Sequence, residues 1–183
     1  MRNLQGLLLI VLISLPALTA GEEAKPDPWA PVRFMAGEWN GTTTGNPGEG
    51  TVVRKYEFVL GQRFLHERNT STYPPQEKNK KGEAHEHWSM LSVDRARKTI
   101  VLRQFHIEGF INQYVLAAER STPTKLVFES ENFENFSNKW RARETYDIGG
   151  PNEFTETFEL APPEKPFEIY SKNILRRVPI AKP

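Results

Sequence analysis

The chain contains no cysteine among its 183 residues. That excludes disulfides, thiol nucleophiles, zinc–thiolate centres and iron–sulfur clusters, so the fold must rest on its hydrophobic core. Long amphipathic helices are missing as well, since no segment keeps a helical period beyond a turn or two. There is no phosphate-binding loop: Gly45-Asn46-Pro47-Gly48-Glu49-Gly50 is glycine-rich, but no helix follows it to receive an anion, so it reads as a hairpin loop. A Ser-His-Asp arrangement and a zinc-protease motif are also lacking. No catalytic residue is assigned, and nothing in the sequence marks an enzyme.

Only one stretch is continuously apolar. Arg2 precedes the run from Gly6 to Leu15, and Pro16-Ala17-Leu18-Thr19-Ala20 closes it with small residues. This pattern is a signal peptide over residues 1–20 with a cut after Ala20. The run is too short for a comfortable membrane span, so no stable span is expected after cleavage. Without residues 1–20, whose single charge is Arg2, 23 basic residues face 23 acidic ones. A balanced chain has no electrostatic reason to bind nucleic acid or an anionic membrane surface. Export without disulfides points to the periplasm or to secretion.

Residues 21–28 form a polar, proline-bearing leader that is expected to be disordered. Trp29 to Ala36 is apolar and compact, as expected of a short helical cap. From there one domain, residues 29–180, runs strand after strand. The expected strands are 38–44, 51–60, 63–73, 84–93, 99–107, 110–117, 125–130, 139–148, 153–160 and 167–178. Each is rich in β-branched and aromatic residues and bounded by turn residues, such as Gly149-Gly150-Pro151-Asn152. Even spacing without crossover helices implies an all-β fold, a single up-and-down antiparallel barrel of about ten strands.

The two ends of the domain suggest how such a barrel is sealed. Gly37-Glu38-Trp39-Asn40-Gly41 opens it, and Leu175-Arg176-Arg177-Val178 closes it. Trp39 is expected to plug the base. Arg176, in phase with Tyr170, is expected to turn inward and lie across the indole.

The four histidines are His66, His85, His87 and His106. His85 and His87 share one face of a strand, and if the neighbouring strands pair, all four can cluster. The cluster would then be a metal site or a polar anchor inside a cavity. Alternatively, these are rim histidines flanked by Glu83 and Glu86. No strict ligand spacing repeats, so no metal is expected. Glu144, Glu153, Glu156 and Glu159 read as a solvated outer face. His66, Trp88, Tyr114 and Tyr170 are the candidate ligand-orienting groups. The partner expected for them is a small hydrophobic or amphipathic molecule, held without a cofactor in the barrel. A filled barrel, acting as a structural or interaction module through the Pro74–Gly82 loop, is the other reading of the same residues.

Three stretches carry a family resemblance over about residues 29–178. They are Phe34-Met35-Ala36-Gly37-Glu38-Trp39-Asn40-Gly41, Leu60-Gly61-Gln62-Arg63-Phe64-Leu65, and Phe167-Glu168-Ile169-Tyr170 running into Ile174-Leu175-Arg176-Arg177-Val178. The chain resembles the calycin superfamily of lipocalins and fatty-acid-binding proteins. Within it, the chain is most similar to bacterial lipocalin-like barrels and to the nitrobindin-like haem-binding barrels. The nitrobindin resemblance implies a ferric haem held by a last-strand histidine eight positions before the terminal valine. Tyr170 stands at that place here, and tyrosine holds haem iron as a phenolate.

Overall fold

The computed structural model describes residues 26–137 and 139–179. The expected signal peptide (1–20), most of the leader (21–28) and the final residue of the expected domain (180) lie outside them. A 3₁₀ turn, Arg33–Met35, precedes ten strands. These are β1 (Gly37–Gly45), β2 (Gly50–Val59), β3 (Phe64–Tyr73), β4 (Glu83–Asp94) and β5 (Thr99–His106). They continue with β6 (Ile111–Leu116), β7 (Lys125–Glu134), β8 (Arg141–Gly150), β9 (Glu153–Ala161) and β10 (Glu168–Arg177). Each strand pairs antiparallel with its sequence neighbours, and β1 pairs with β10 to close the cylinder. Closure leaves no strand edge unpaired.

One strand is longer than its sequence suggests. The alternation of β7 breaks after Ser130, yet the strand continues to Glu134 because a register shift opposite Gln113 and Tyr114 absorbs the break. Phe133 is thereby returned to the interior.

The inward side chains stack in two layers beneath a hollow top. The lowest is apolar: Trp39, Leu65, Leu91, Leu102, Phe128, Phe154 and Leu175 belong to one buried cluster with Met35 of the N-terminal turn. Above them lies a polar layer that includes Arg54, Glu67, Asn69, Gln104, Glu144, Glu156 and Asn173, all buried. Above that, the barrel is hollow.

Trp39 seals the base. Its indole Nε1 donates to the Met35 carbonyl oxygen at 2.7 Å, and Phe154 meets the ring edge-on at 4.7 Å. The arginine across it is Arg177, whose guanidinium sits 4.2 Å above the ring. Arg177 is the direct cross-strand partner of Trp39, so both point to the same face. Its nitrogens also donate to the carbonyls of Ala36, Phe34 and Pro151, tying the N-terminal turn and the β8–β9 turn to the last strand. Gly37 makes room for it, since a Cβ there would lie 2.6 Å from Arg177 Nη1.

Arg176, expected in that role, is 73 % exposed and pairs with Glu153 at 2.8 Å. The error was one of phase. Register slips between Ile169 and Ser171, leaving Tyr170 as the extra residue of a bulge, so parity counted from Tyr170 does not carry along the strand.

Candidate ligand cavity

The upper half of the barrel encloses a cavity of about 530 Å³. It opens at the end opposite Trp39, between the β1–β2, β3–β4, β5–β6, β7–β8 and β9–β10 loops. Its mouth carries Phe136, Trp140, Tyr170 and Pro162, and Phe158 and Leu160 line the wall below. A cavity of this size, apolar around its walls with a few convergent polar groups, is the usual form of a small-molecule site.

The floor is built around Arg54, 2 % exposed. Its Nε donates to Asn69 Oδ1 at 2.7 Å, Nη1 to the Tyr56 hydroxyl at 3.3 Å, and Nη2 to Glu156 Oε2. Asn173 Nδ2 donates to the same Glu156 oxygen at 2.6 Å. The Tyr56 hydroxyl donates to Glu67 Oε1 at 3.1 Å, and that oxygen lies 3.3 Å from Arg54 Nε.

Three buried carboxylates thus surround one buried cation, and their protonation follows from distance to it. Burial works to raise the Glu67 carboxyl, but the Arg54 guanidinium beside it outweighs burial and holds Glu67 at about 2. Burial likewise works against the ionised form of Glu156, and Arg54 again prevails, lowering it. Glu144 goes the other way. Burial, with the charge of Glu156 beside it, pushes its carboxyl well above the usual range. Its Oε1 accepts from Gln104 Nε2 at 3.4 Å, whereas Oε2 has no partner among the described residues. The floor therefore holds one cation, two carboxyls biased toward the anion and one biased toward the neutral acid.

That assignment fixes the sign of a pH effect. A carboxyl raised in the folded state contributes stability that is complete below its unfolded value, 4.5, and is lost as pH rises toward the folded value. Glu144→Gln, which mimics the neutral acid, is expected to be more stable than the parent at about pH 7, with the gap closing toward about pH 5. Urea denaturation at the two pH values measures it. A variant less stable than the parent at neutral pH would show that Glu144 is ionised in the fold.

Glu144 and Glu156 were expected on a solvated outer face; they lie inside. The signal was present in the alternation. Arg54 falls in the inward series Val52-x-Arg54-x-Tyr56-x-Phe58, Glu67 in Leu65-x-Glu67-x-Asn69-x-Ser71-x-Tyr73, and Glu156 in Phe154-x-Glu156-x-Phe158-x-Leu160. Each series is otherwise largely apolar or neutral, so a charge within it is a buried charge.

The four candidate ligand-orienting residues separate. Tyr170 lines the mouth, with its ring edge-on to Phe158 at 5.6 Å. Tyr114 is fully buried beside the floor, where its hydroxyl accepts from Asn112 Nδ2 at 3.0 Å. His66 and Trp88 lie on the outer wall, packed edge to face at 5.5 Å, and Trp88 is 55 % exposed under the Arg68 guanidinium. Their strands turn the other parity inward: Leu65 and Glu67 in β3, His87 and Ser89 in β4. The histidine-bearing face of β4 is the inner one because the interior at that level is polar. His85, His87 and His106 consequently meet at the cavity wall, while His66 does not join them. Burial, with His87 and His85 alongside, pushes His106 down to about 3.

The molecule is a closed ten-strand antiparallel β-barrel with a packed base and a hollow top. Among solved structures it is similar to Rv2717c from M. tuberculosis, with a TM-score of 0.62 at 15 % identity, covering 84 % of this chain and 99 % of that one. At that identity the likeness is one of fold. No protein-family model matches the chain, and no curated protein matches it in sequence.

Proposed function

We propose that the protein is an exported carrier, periplasmic or secreted, of the calycin kind. It would take one small amphipathic molecule into the upper half of the barrel. The observation that carries this reading is the cavity itself: an aromatic mouth over a charged, hydrogen-bonding floor. A barrel filled to the top, as a purely structural module requires, would have no such space. Burial of the ligand's apolar part against the mouth and wall supplies affinity at roughly 25 cal/mol per Å², less the cost of ordering.

The floor selects the polar end. Among its unpartnered atoms that line the cavity, Asn112 Oδ1 and Asn173 Oδ1 are acceptors. The charge around Arg54 is net negative when Glu67 and Glu156 are ionised. A hydroxyl or amine head group therefore suits the site, and a carboxylate does not. The test is displacement of the neutral fluorophore N-phenyl-1-naphthylamine from the protein by decanol, decylamine and decanoate. Decanol and decylamine are expected to displace it at concentrations at least about tenfold lower than decanoate, the size of one missing or repelled charged contact. Equal potency, or decanoate first, would contradict the reading.

Haem held by Tyr170 is less well supported. Iron ligation needs the phenolate, and the surroundings oppose it: burial raises the Tyr170 hydroxyl, and the nearby Glu83, Tyr73 and Glu108 raise it further. A Soret band on haemin addition that disappears in Tyr170→Phe would restore that reading.

A further inference from the structure

We propose that His85, His87 and His106 form a binding site for a late first-row divalent cation such as Zn²⁺, with an open coordination position facing the cavity. This goes beyond the carrier reading and does not depend on it.

The strand pairing builds the site. His85 and His87 are two apart on β4 and face inward, and His106 at the end of β5 is the direct cross-strand partner of His87. One nitrogen from each ring lies within 4.8 Å of the others. The three ring centroids are 5.3, 5.5 and 5.7 Å apart, close to an equilateral triangle. His106 Nδ1 and His85 Nε2 are 3.4 Å apart. Two nitrogens each bound to one tetrahedral Zn²⁺ at about 2.0–2.1 Å stand about 3.3–3.4 Å apart, so this pair already has the spacing of shared ligands.

A second observation points to a ligand. His87 is 8 % exposed, and neither of its ring nitrogens has a hydrogen-bond partner among the described residues. The nearest carboxylate, Glu67 Oε1, is 3.6 Å from Nε2, beyond a hydrogen bond. A buried imidazole with both nitrogens unpaired is costly, and an ion at the centre of the triangle would satisfy one of them.

The outer contacts fit as well. His85 Nδ1 is 2.9 Å from Glu108 Oε1, which fixes its proton there and leaves Nε2 for the ion. His106 is stacked on Phe110 at 4.2 Å, which holds its ring plane. Its Nε2 is 3.2 Å from the Asn112 amide nitrogen. When Nδ1 takes the ion, the ring proton moves to Nε2 and the Asn112 amide turns to present Oδ1, an atom that now lacks a donor. No proton is gained or lost by the protein. Three imidazoles with an open fourth position match the ligand count of catalytic rather than structural zinc sites. Imidazole sets of this kind suit Zn²⁺, Cu²⁺, Ni²⁺ and Fe²⁺ rather than Mg²⁺ or Ca²⁺.

The test is calorimetric titration of the full chain with Zn²⁺ after chelator treatment, paired with the visible absorption of Co²⁺ in the same protein. One ion per chain is expected, with the intense Co²⁺ bands of low coordination. His87→Asn and His85→Gln should each abolish that binding. Glu108→Gln should weaken it about tenfold, as expected for an orienting contact. His66→Gln, on the outer wall, should leave it unchanged. His85→Gln lies at the rim and preserves the core, which covers the case in which His87→Asn does not fold. Absence of stoichiometric binding would overturn the proposal, as would binding that survives both ligand substitutions or falls equally in His66→Gln. Loss of the ion with intact binding of the naphthylamine probe would separate this site from the carrier reading.

Discussion

Arg54→Met is expected to lower stability by about 3–5 kcal/mol, because it leaves Glu67 and Glu156 buried with no cation beside them. Methionine fills much of the arginine's volume, so the loss reports charge rather than a void. The pH dependence should invert along with it. In the parent, Glu67 and Glu156 are held low by Arg54, so their contribution is present above about 4.5 and is lost as acid carries the pH down through the folded value, about 2 for Glu67. In the variant, burial raises the same carboxyls, and stability falls as pH rises instead. Adding Glu156→Gln to Arg54→Met should recover part of the loss, since the two positions share one network and do not act additively. Denaturant melts of the parent, the two single variants and the double variant, at acid and neutral pH, measure all of this. A loss under about 1 kcal/mol would mean that the floor is hydrated and that its charges are not confined as described.

Trp39→Ala is expected to cost a comparable amount, about 3–5 kcal/mol, the usual range for an aromatic side chain removed from a packed interior. Its surroundings explain why little can collapse into the void. Phe154 and the Arg177 guanidinium are both placed against the indole, and the Met35 carbonyl loses its donor. Arg177 and Arg176 provide an internal comparison on adjacent residues. Arg177→Met removes the cation over the indole and three donors to backbone carbonyls, for an expected loss of about 2–3 kcal/mol. Arg176→Met touches only an exposed ion pair and should change stability by less than about 0.5 kcal/mol. Thermal and urea unfolding of the three variants gives the comparison directly. Equal effects at 176 and 177 would contradict the described closure of the base.

The barrel was legible because strand alternation and turn residues repeat evenly, and closure follows from their number. All ten strands are present near where that rhythm puts them, with β7 continuing past its expected end. The base was legible in type but not in phase: an arginine beside Trp39 was foreseeable from Leu175-Arg176-Arg177-Val178. Which of the two depends on a bulge at Tyr170, and a bulge leaves no mark in residue chemistry. The cavity floor was the harder part. Glutamate is so common in this chain that Glu144 and Glu156 blend into its solvated face. Only their position in an inward series, together with Arg54 in another, distinguishes them. The histidine cluster depends on which face of β4 turns in. Local pattern cannot decide that, because Trp88 and Met90 make the outer face at least as apolar as the inner one. The decision is tertiary: the inner face at that height meets a polar layer.

Ligand binding in the hollow top of the barrel is tested most directly by filling it. Ser171 lines the cavity wall on β10, and Ser171→Trp would place an indole in that space. Binding of N-phenyl-1-naphthylamine, followed by its fluorescence, is expected to fall at least about tenfold in Ser171→Trp while the protein stays folded, and to be unchanged in the outer-wall variant Trp88→Ser. Undiminished binding in Ser171→Trp, or loss of binding in Trp88→Ser, would place the ligand elsewhere and contradict the account.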